Sequence, residues 1–189
     1  VWAQRVSYAG ELGGEMYIAP EQAVSAWDTL MEAGQEFGIQ PVGYKALDSL
    51  RLEKGYRYWS ADITPSENSY EAGMGFVVRM KSGGDFIGRQ ALLKVKEEGI
   101  QRRLCTLTLD DKSCVIYGGE AVYCKDKLVG RVTSGGFGYT VGKNIAISYL
   151  PLDLAVQGTS VEIEIFGEYF QADVAEDALY DPTSARLRG

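Results

Sequence analysis

The sequence predicts an α+β fold with two parts: a mixed region of short strands and two to three helices over residues 1–100, then a small all-β domain over residues 101–189. Helical spacing and helix boundary signals occur only before residue 100. From residue 102 the chain consists of short β-rich runs separated by glycine-containing turns. Such runs are typical of a small barrel or sandwich. We therefore place a domain boundary near residue 100.

The first elements are two short strands, residues 2–8 and 14–19, which flank a glycine-rich segment. Pro20 and Glu21 then favour the first turn of a helix. That helix carries an apolar stripe at spacings of three and four, formed by Val24, Trp27, Leu30 and Met31. A stripe of this kind predicts packing against a core.

A second helix is predicted over residues 44–54, and a third over 86–98, where Gly99 ends it. Between them, residues 73–80 resemble a buried strand. Arg51 lies close to the apolar side of the second helix. A buried arginine requires either a carboxylate partner or a ligand anion, and the sequence leaves both open.

The all-β part contains six predicted strands. They are Leu104–Leu109, Ala121–Cys124, Leu128–Thr133, Ile145–Leu150, Val161–Phe166 and Tyr169–Ala175. Strict alternation at the start of the fifth indicates a half-exposed strand. The glycine-rich segment Thr133–Tyr139 can cradle an anion through backbone N–H groups, or form a flexible hairpin loop, which is favoured. The polar tail after Asp181 is expected to fray.

Composition excludes several classes of function. The net charge of −7 and the pI near 4.7 argue against nucleic-acid binding, which requires a basic face. The chain has no histidine, so histidine-based catalysis is excluded. Its three cysteines are widely spaced, without a C-x-x-C pair, which suits a reducing compartment and argues against a metal site. No apolar run approaches the roughly 18 residues of a membrane span.

The segment Arg5–Ile18 carries the strongest ligand signal, because it places Tyr8, Glu11 and Glu15 around glycines. An aromatic ring beside a carboxylate suits a flat, nitrogen-rich heterocycle. The ring stacks on its face, and the carboxylate accepts hydrogen bonds from its N–H groups. A hairpin with surface glutamates would have the same sequence pattern.

Five ordered segments resemble the glycine-cleavage T-protein (aminomethyltransferase) family. They are Tyr8–Glu15, Gly43–Glu53, Pro65–Met74, Asp85–Leu92 and Gly130–Gly135. Within that family, the chain is most similar to the C-terminal part of sarcosine and dimethylglycine dehydrogenases. It has Leu47 where true T-proteins have the arginine of Ala-Arg-Asp, and the stretches Glu53–Asp62 and Gly99–Cys105 indicate the same branch.

The resemblance implies a tetrahydrofolate-binding domain followed by a β-barrel or jelly-roll domain. It implies that Glu15 binds the edge of the pterin ring, and that Tyr8 and Tyr56 wall the pocket. No catalytic residue is assigned, because the family aspartate that assists one-carbon transfer belongs to an N-terminal half without a match here. The flavin fingerprint G-x-G-x-x-G is likewise absent from this chain.

The resemblance also implies the setting. The chain is expected to be a piece of a longer polypeptide, partnered by a missing N-terminal domain, in the bacterial cytoplasm or the mitochondrial matrix. In the parent enzyme, FAD oxidises a small methylated amine, and folate accepts the one-carbon unit. This piece alone is not expected to be active. The alternatives are a fragment of a glycine-cleavage aminomethyltransferase and a non-catalytic regulatory relative.

Overall fold

The computed structural model describes residues 1–82 and 84–188, which form eight strands and four α-helices. The strands are β1 Trp2–Gln4, β2 Glu15–Tyr17, β3 Arg102–Leu109, β4 Ala121–Cys124, β5 Lys127–Gly138, β6 Lys143–Pro151, β7 Ser160–Ile165 and β8 Glu168–Val174. The helices are α1 Ala23–Ala33, α2 Tyr44–Glu53, α3 Arg89–Glu98 and α4 Ala185–Arg188. Short 3₁₀ turns occur at Pro20–Gln22, Gln35–Phe37 and Gly75–Val77.

The six C-terminal strands close into an antiparallel barrel in the order β3-β6-β5-β4-β7-β8. Closure occurs where β8 pairs with β3, at Leu107 opposite Val174. Apolar side chains from the strands fill the interior. Along β7, Val161, Ile163 and Ile165 are buried and Glu162 is exposed, which confirms the predicted alternation. The α+β class and the small barrel are therefore confirmed.

The segment Thr133–Tyr139 is not a loop, so the expectation of a hairpin loop there is wrong. Strand β5 continues to Gly138, and the turn follows it. The glycines permit close packing instead of a turn. A Cβ on Gly135 would collide with the Ile116 side chain, and one on Gly138 would lie 3.0 Å from Cγ of Glu53.

The N-terminal region begins with a two-stranded sheet in which Gln4 of β1 pairs with Glu15 of β2. The predicted helices are present, although α3 begins at Arg89 instead of residue 86. The expectation that the α1 stripe packs in a core is wrong. Val24 is 73% exposed and Trp27 54% exposed, because no described residue buries this face of α1.

The strand predicted over residues 73–80 is also absent. Gly73 has a φ of +71°, a left-handed value that turns the backbone, and a 3₁₀ turn covers Gly75–Val77. Phe76 is 83% exposed, so the apolar run does not mark a buried strand. The tail after Asp181 contains α4, whose first N–H groups are capped by the Asp181 carboxylate. Within the described residues, no helix combines the length and apolarity needed to cross a bilayer.

Candidate functional site

The C-terminal turn of α2 joins the N-terminal region to the barrel. Leu52 packs with Leu104, Ile145 and other barrel residues in an apolar cluster. Its neighbours Arg51, Glu53 and Lys54 are charged, yet all three are buried. Burial of a charge is unfavourable unless the group is paired and hydrogen-bonded, so the partners of these side chains define the local structure.

Arg51 is held by two carboxylates. Its Nε lies 2.7 Å from Oδ1 of Asp48, and its Nη1 lies 2.8 Å from Oδ2 of Asp62. Asp62 is fully buried, and it also accepts hydrogen bonds from the Tyr58 N–H and the Thr133 hydroxyl. Of the two partners that the sequence left open for Arg51, the structure shows carboxylates.

Glu53 and the turn after β5 form a second buried contact. Oε1 of Glu53 accepts the backbone N–H groups of Thr140 and Val141, at 2.6 and 3.2 Å. The Glu53 side chain thus binds the barrel backbone directly, in the turn between β5 and β6. Together with Asp62, it locks α2 onto β5 and β6.

A cavity of about 220 Å³ opens beside the Arg51 network. Its wall includes Tyr44, Asp48, Arg51, Tyr58 and Thr133. The Tyr44 hydroxyl donates to the Tyr58 hydroxyl at 3.2 Å, and the Arg51 guanidinium lies 5.6 Å from the centre of the Tyr58 ring. The wall therefore combines aromatic rings with a carboxylate that is partly exposed.

The structure brings two of the sequence-predicted site residues together. The rings of Tyr8 and Tyr56 are stacked, with centroids 5.9 Å apart and planes inclined by 19°. The Tyr8 hydroxyl donates to the Arg57 carbonyl at 3.1 Å. Burial raises the pKa of Tyr8; the positive charge of Arg51 lowers this pKa, and the negative charge of Asp62 raises it.

Glu15, the third predicted residue, lies on the exposed β2 strand. Its carboxylate accepts a hydrogen bond of 3.1 Å from the Tyr17 hydroxyl, and this bond raises the pKa of Tyr17. The described hydrogen bonds of Glu15 do not join it to Tyr8 or Tyr56. The carboxylate of the Tyr8 segment that has a long-range partner is instead Glu11, which accepts a hydrogen bond from the Tyr180 hydroxyl. Sequence carried no signal for that partner, 169 positions away.

The sequence-predicted residues Tyr8, Tyr56 and Glu15 are not among the residues that line the cavity beside the Arg51 network. By chemistry alone these side chains suit a flat heterocycle with N–H groups, since the rings of Tyr8 and Tyr56 supply apolar faces. The carboxylates of the exposed Glu15 and the partly exposed Asp48 supply acceptors. The 220 Å³ cavity is smaller than the roughly 300 Å³ at which pockets for drug-sized ligands begin. Over residues 1–82 and 84–188, no acidic or cysteine cluster is arranged to hold a metal ion.

Two family models match this chain. The "GCVT N-terminal domain" matches residues 1–82, and the "Glycine cleavage T-protein C-terminal barrel domain" matches residues 102–181, the part that forms the barrel. The chain belongs to the glycine-cleavage T-protein family. The resemblance to this family that the sequence indicated is thereby confirmed.

Relatives within the T-protein family match along nearly the whole chain. Mouse mitochondrial dimethylglycine dehydrogenase is 40% identical over 190 residues, which cover 100% of this chain and 22% of that protein. An aminomethyltransferase of Symbiobacterium thermophilum is 40% identical over 176 residues, 93% of this chain and 47% of that protein. The crystal structure of aminomethyltransferase T from Bartonella henselae superimposes with a TM-score of 0.86 at 28% identity, covering 95% of this chain and 50% of that one.

Proposed function

We propose that this chain is the tetrahydrofolate-binding region of a dimethylglycine or sarcosine dehydrogenase-like enzyme. The observation that carries this is the 40% identity with dimethylglycine dehydrogenase along 100% of this chain, which spans only 22% of that protein. Leu47 on α2, in place of the arginine typical of true T-proteins, favours the same branch. Bound tetrahydrofolate would accept the one-carbon unit from N-methyl oxidation and leave as methylene-tetrahydrofolate.

In this proposal the residues of the chain bind and orient the cofactor. Tyr8 and Tyr56 wall the pterin site through their ring faces, and the Glu15 carboxylate accepts the two adjacent donors of the pterin edge in a fork. Glu15 would exchange its hydrogen bond from Tyr17 for those donors. The lost bond would be compensated, because the pterin edge supplies two charge-assisted hydrogen bonds in place of one.

The remaining parts of the site are proposed to lie elsewhere in a longer protein. The exposed apolar face of α1, with Val24 and Trp27, supports this, because large exposed apolar patches mark interaction surfaces. FAD and the methylated amine would bind to that longer protein, in the mitochondrial matrix or the bacterial cytoplasm. This region alone is proposed to lack activity, and its two domains to meet near residue 100.

The second candidate is an aminomethyltransferase of glycine cleavage. The 40% identity with the Symbiobacterium thermophilum enzyme and the TM-score of 0.86 with the Bartonella henselae structure favour it. Leu47 argues against it. Assay of the intact protein separates the two, since a dehydrogenase reduces its flavin when given dimethylglycine or sarcosine, and an aminomethyltransferase has no flavin to reduce. A non-catalytic relative would bind no folate at all.

Titration calorimetry with 5-formyltetrahydrofolate, a stable reduced folate, tests the proposed site in the intact protein. Loss of a charge-assisted hydrogen bond costs about 1.5–3 kcal/mol, so Glu15→Ala should weaken binding by roughly tenfold or more. Glu168→Ala, an exposed carboxylate on β8, is the matched control and should bind like the wild type. Equal affinity of Glu15→Ala and wild type would refute the role of Glu15. Absence of wild-type binding would refute the proposed function.

A further inference from the structure

The segment that follows the barrel, residues 177–186, crosses the end of α2. It reaches the loop between β1 and β2, residues 5–14, which we call the Tyr8 loop. We call residues 177–186 the strap. Its N–H groups at Leu179 and Tyr180 both donate to the Glu53 carbonyl, at 2.9 and 3.0 Å. The strap therefore continues the backbone hydrogen bonding at the C-terminal end of α2, where carbonyl groups otherwise lack partners.

Lys54 connects the strap to the Tyr8 loop. This side chain is only 2% exposed, and its Nζ lies 2.5 Å from the carbonyl oxygen and 3.1 Å from Oδ2 of Asp181. Its aliphatic stem packs on Gly10, where an added Cβ would lie 2.9 Å from Cγ of Lys54. Gly10 has a φ of +80°, a conformation that favours glycine. One buried cation thus contacts strap and loop at once.

A second set of contacts reaches the same loop. The Tyr180 hydroxyl donates to the Glu11 carboxylate. Nη1 of Arg186 lies 3.7 Å from Glu11, and its guanidinium lies 5.7 Å from the centre of the Tyr180 ring. Arg5, where the loop begins, donates to the Arg188 carbonyl at 2.8 Å.

The strap also fixes the residue before Tyr56. An added Cβ on Gly55 would overlap the Asp177 carbonyl, and the same carbonyl accepts the Thr106 hydroxyl at 3.0 Å. Asp177 is therefore anchored on the barrel while it touches the chain at Gly55. The strap therefore contacts the chain next to Tyr56, at Gly55, and three residues after Tyr8, at Glu11.

We propose that the strap positions the Tyr8–Tyr56 ring pair for a flat ligand, and that Tyr180 and Glu11 are positioning residues for that site. The claim that the ring pair binds a flat ligand rests on the proposed function. The claim that the strap orders the Tyr8 loop does not, because it concerns the free protein. Preorganisation of this kind lowers the cost of ordering a loop on binding.

Hydrogen exchange tests the strap in the intact protein without ligand. Tyr180→Phe removes one hydroxyl and leaves the ring, so amides of residues 6–12 should exchange roughly tenfold faster, as expected for loss of about one strong hydrogen bond. Amides of β3 should be unchanged. Tyr139→Phe removes the hydroxyl of a ring that is 81% exposed, and it should leave the loop unchanged. If the loop amides of Tyr180→Phe exchange at the wild-type rate, the proposal that the strap orders the loop is refuted.

Affinity for 5-formyltetrahydrofolate tests the consequence for the ligand. Tyr180→Phe should weaken binding by roughly threefold to tenfold while the melting temperature stays close to wild type. Glu11→Ala removes the acceptor and should do the same, and the double variant should bind no worse than the weaker-binding single variant, since both changes remove the hydrogen bond between Tyr180 and Glu11. Equal affinity in wild type and variants would overturn the positioning role. If the wild type does not bind this probe, the proposed function fails, and loop exchange alone decides the strap.

Discussion

The barrel and the region before it are stabilised by different kinds of contact. Strands β3 to β8 enclose an interior of apolar side chains, among them Leu107, Val122 and Ile163. In the described residues before β3, the buried side chains are mainly charged or polar, and Leu52 and Ala72 are the hydrophobic exceptions. The barrel thus depends on apolar burial, whereas the N-terminal region is joined to it by ion pairs and hydrogen bonds. Such contacts position a site accurately but stabilise little.

The largest expected effect comes from breaking the buried ion pair of Arg51 and Asp62, which a hydrogen bond from Thr133 to Asp62 connects to the barrel. Asp62→Ala removes the acceptor for Arg51, Tyr58 and Thr133. Leaving a buried charge without its partner costs about 3–5 kcal/mol, and the free energy of unfolding in urea should fall by that amount.

The exposed pair of Lys143 and Asp110 is the matched control for this change. Its side chains are 44% and 83% exposed, and a surface pair contributes about 0–1 kcal/mol. Lys143→Ala should therefore change the free energy of unfolding by less than about 1 kcal/mol. A similar loss in the two variants would show that the joining network is no more important than a surface pair.

Apolar truncation distinguishes the two regions directly. Ile163 is fully buried in the barrel, and Ile→Ala in a core costs about 2–5 kcal/mol. Trp27 on α1 is 54% exposed, so Trp27→Ala in this chain should cost about 0.5 kcal/mol or less. Urea unfolding measures both. A cost for Trp27→Ala close to that of Ile163→Ala would mean that the face of α1 is covered.

The barrel was the more predictable region, for a physical reason. Along β7, the alternation of valine and isoleucine with glutamate predicts which face is buried, and the structure buries that face. The stripe of α1 carries the same kind of information, but it specifies only that a partner surface is needed. Whether the described chain supplies that surface is not encoded in α1. The loop predicted around Gly135 was wrong for another reason, because glycine permits both a turn and close packing.

The proximity of two proposed site residues could be predicted from the family resemblance, whereas their role in binding a ligand stays a prediction. Tyr8 and Tyr56 were expected together, and they stack. The place of Glu15 in a folate site stays a prediction. The contacts of Glu11 with Tyr180 and of Lys54 with Asp181 join positions 169 and 127 residues apart. No local pattern signals such pairings, since a tyrosine and an aspartate in a polar tail resemble solvated residues.

The smallest expected effect tests whether the barrel interior is closed, by thiol labelling at pH 8.5 followed by mass spectrometry. Cys105 is buried, and desolvation raises its pKa to about 11, whereas Cys124 is partly exposed. Because the thiolate is the reactive form, iodoacetamide should modify Cys124 first and Cys105 only after unfolding in urea. The folded state favours the neutral Cys105 thiol, so its contribution to stability persists below the ordinary pKa of about 8.5 and is lost as pH rises towards 11. Equal labelling of the two thiols in the native protein would show that the barrel opens, and the contrast between the two regions would then fail.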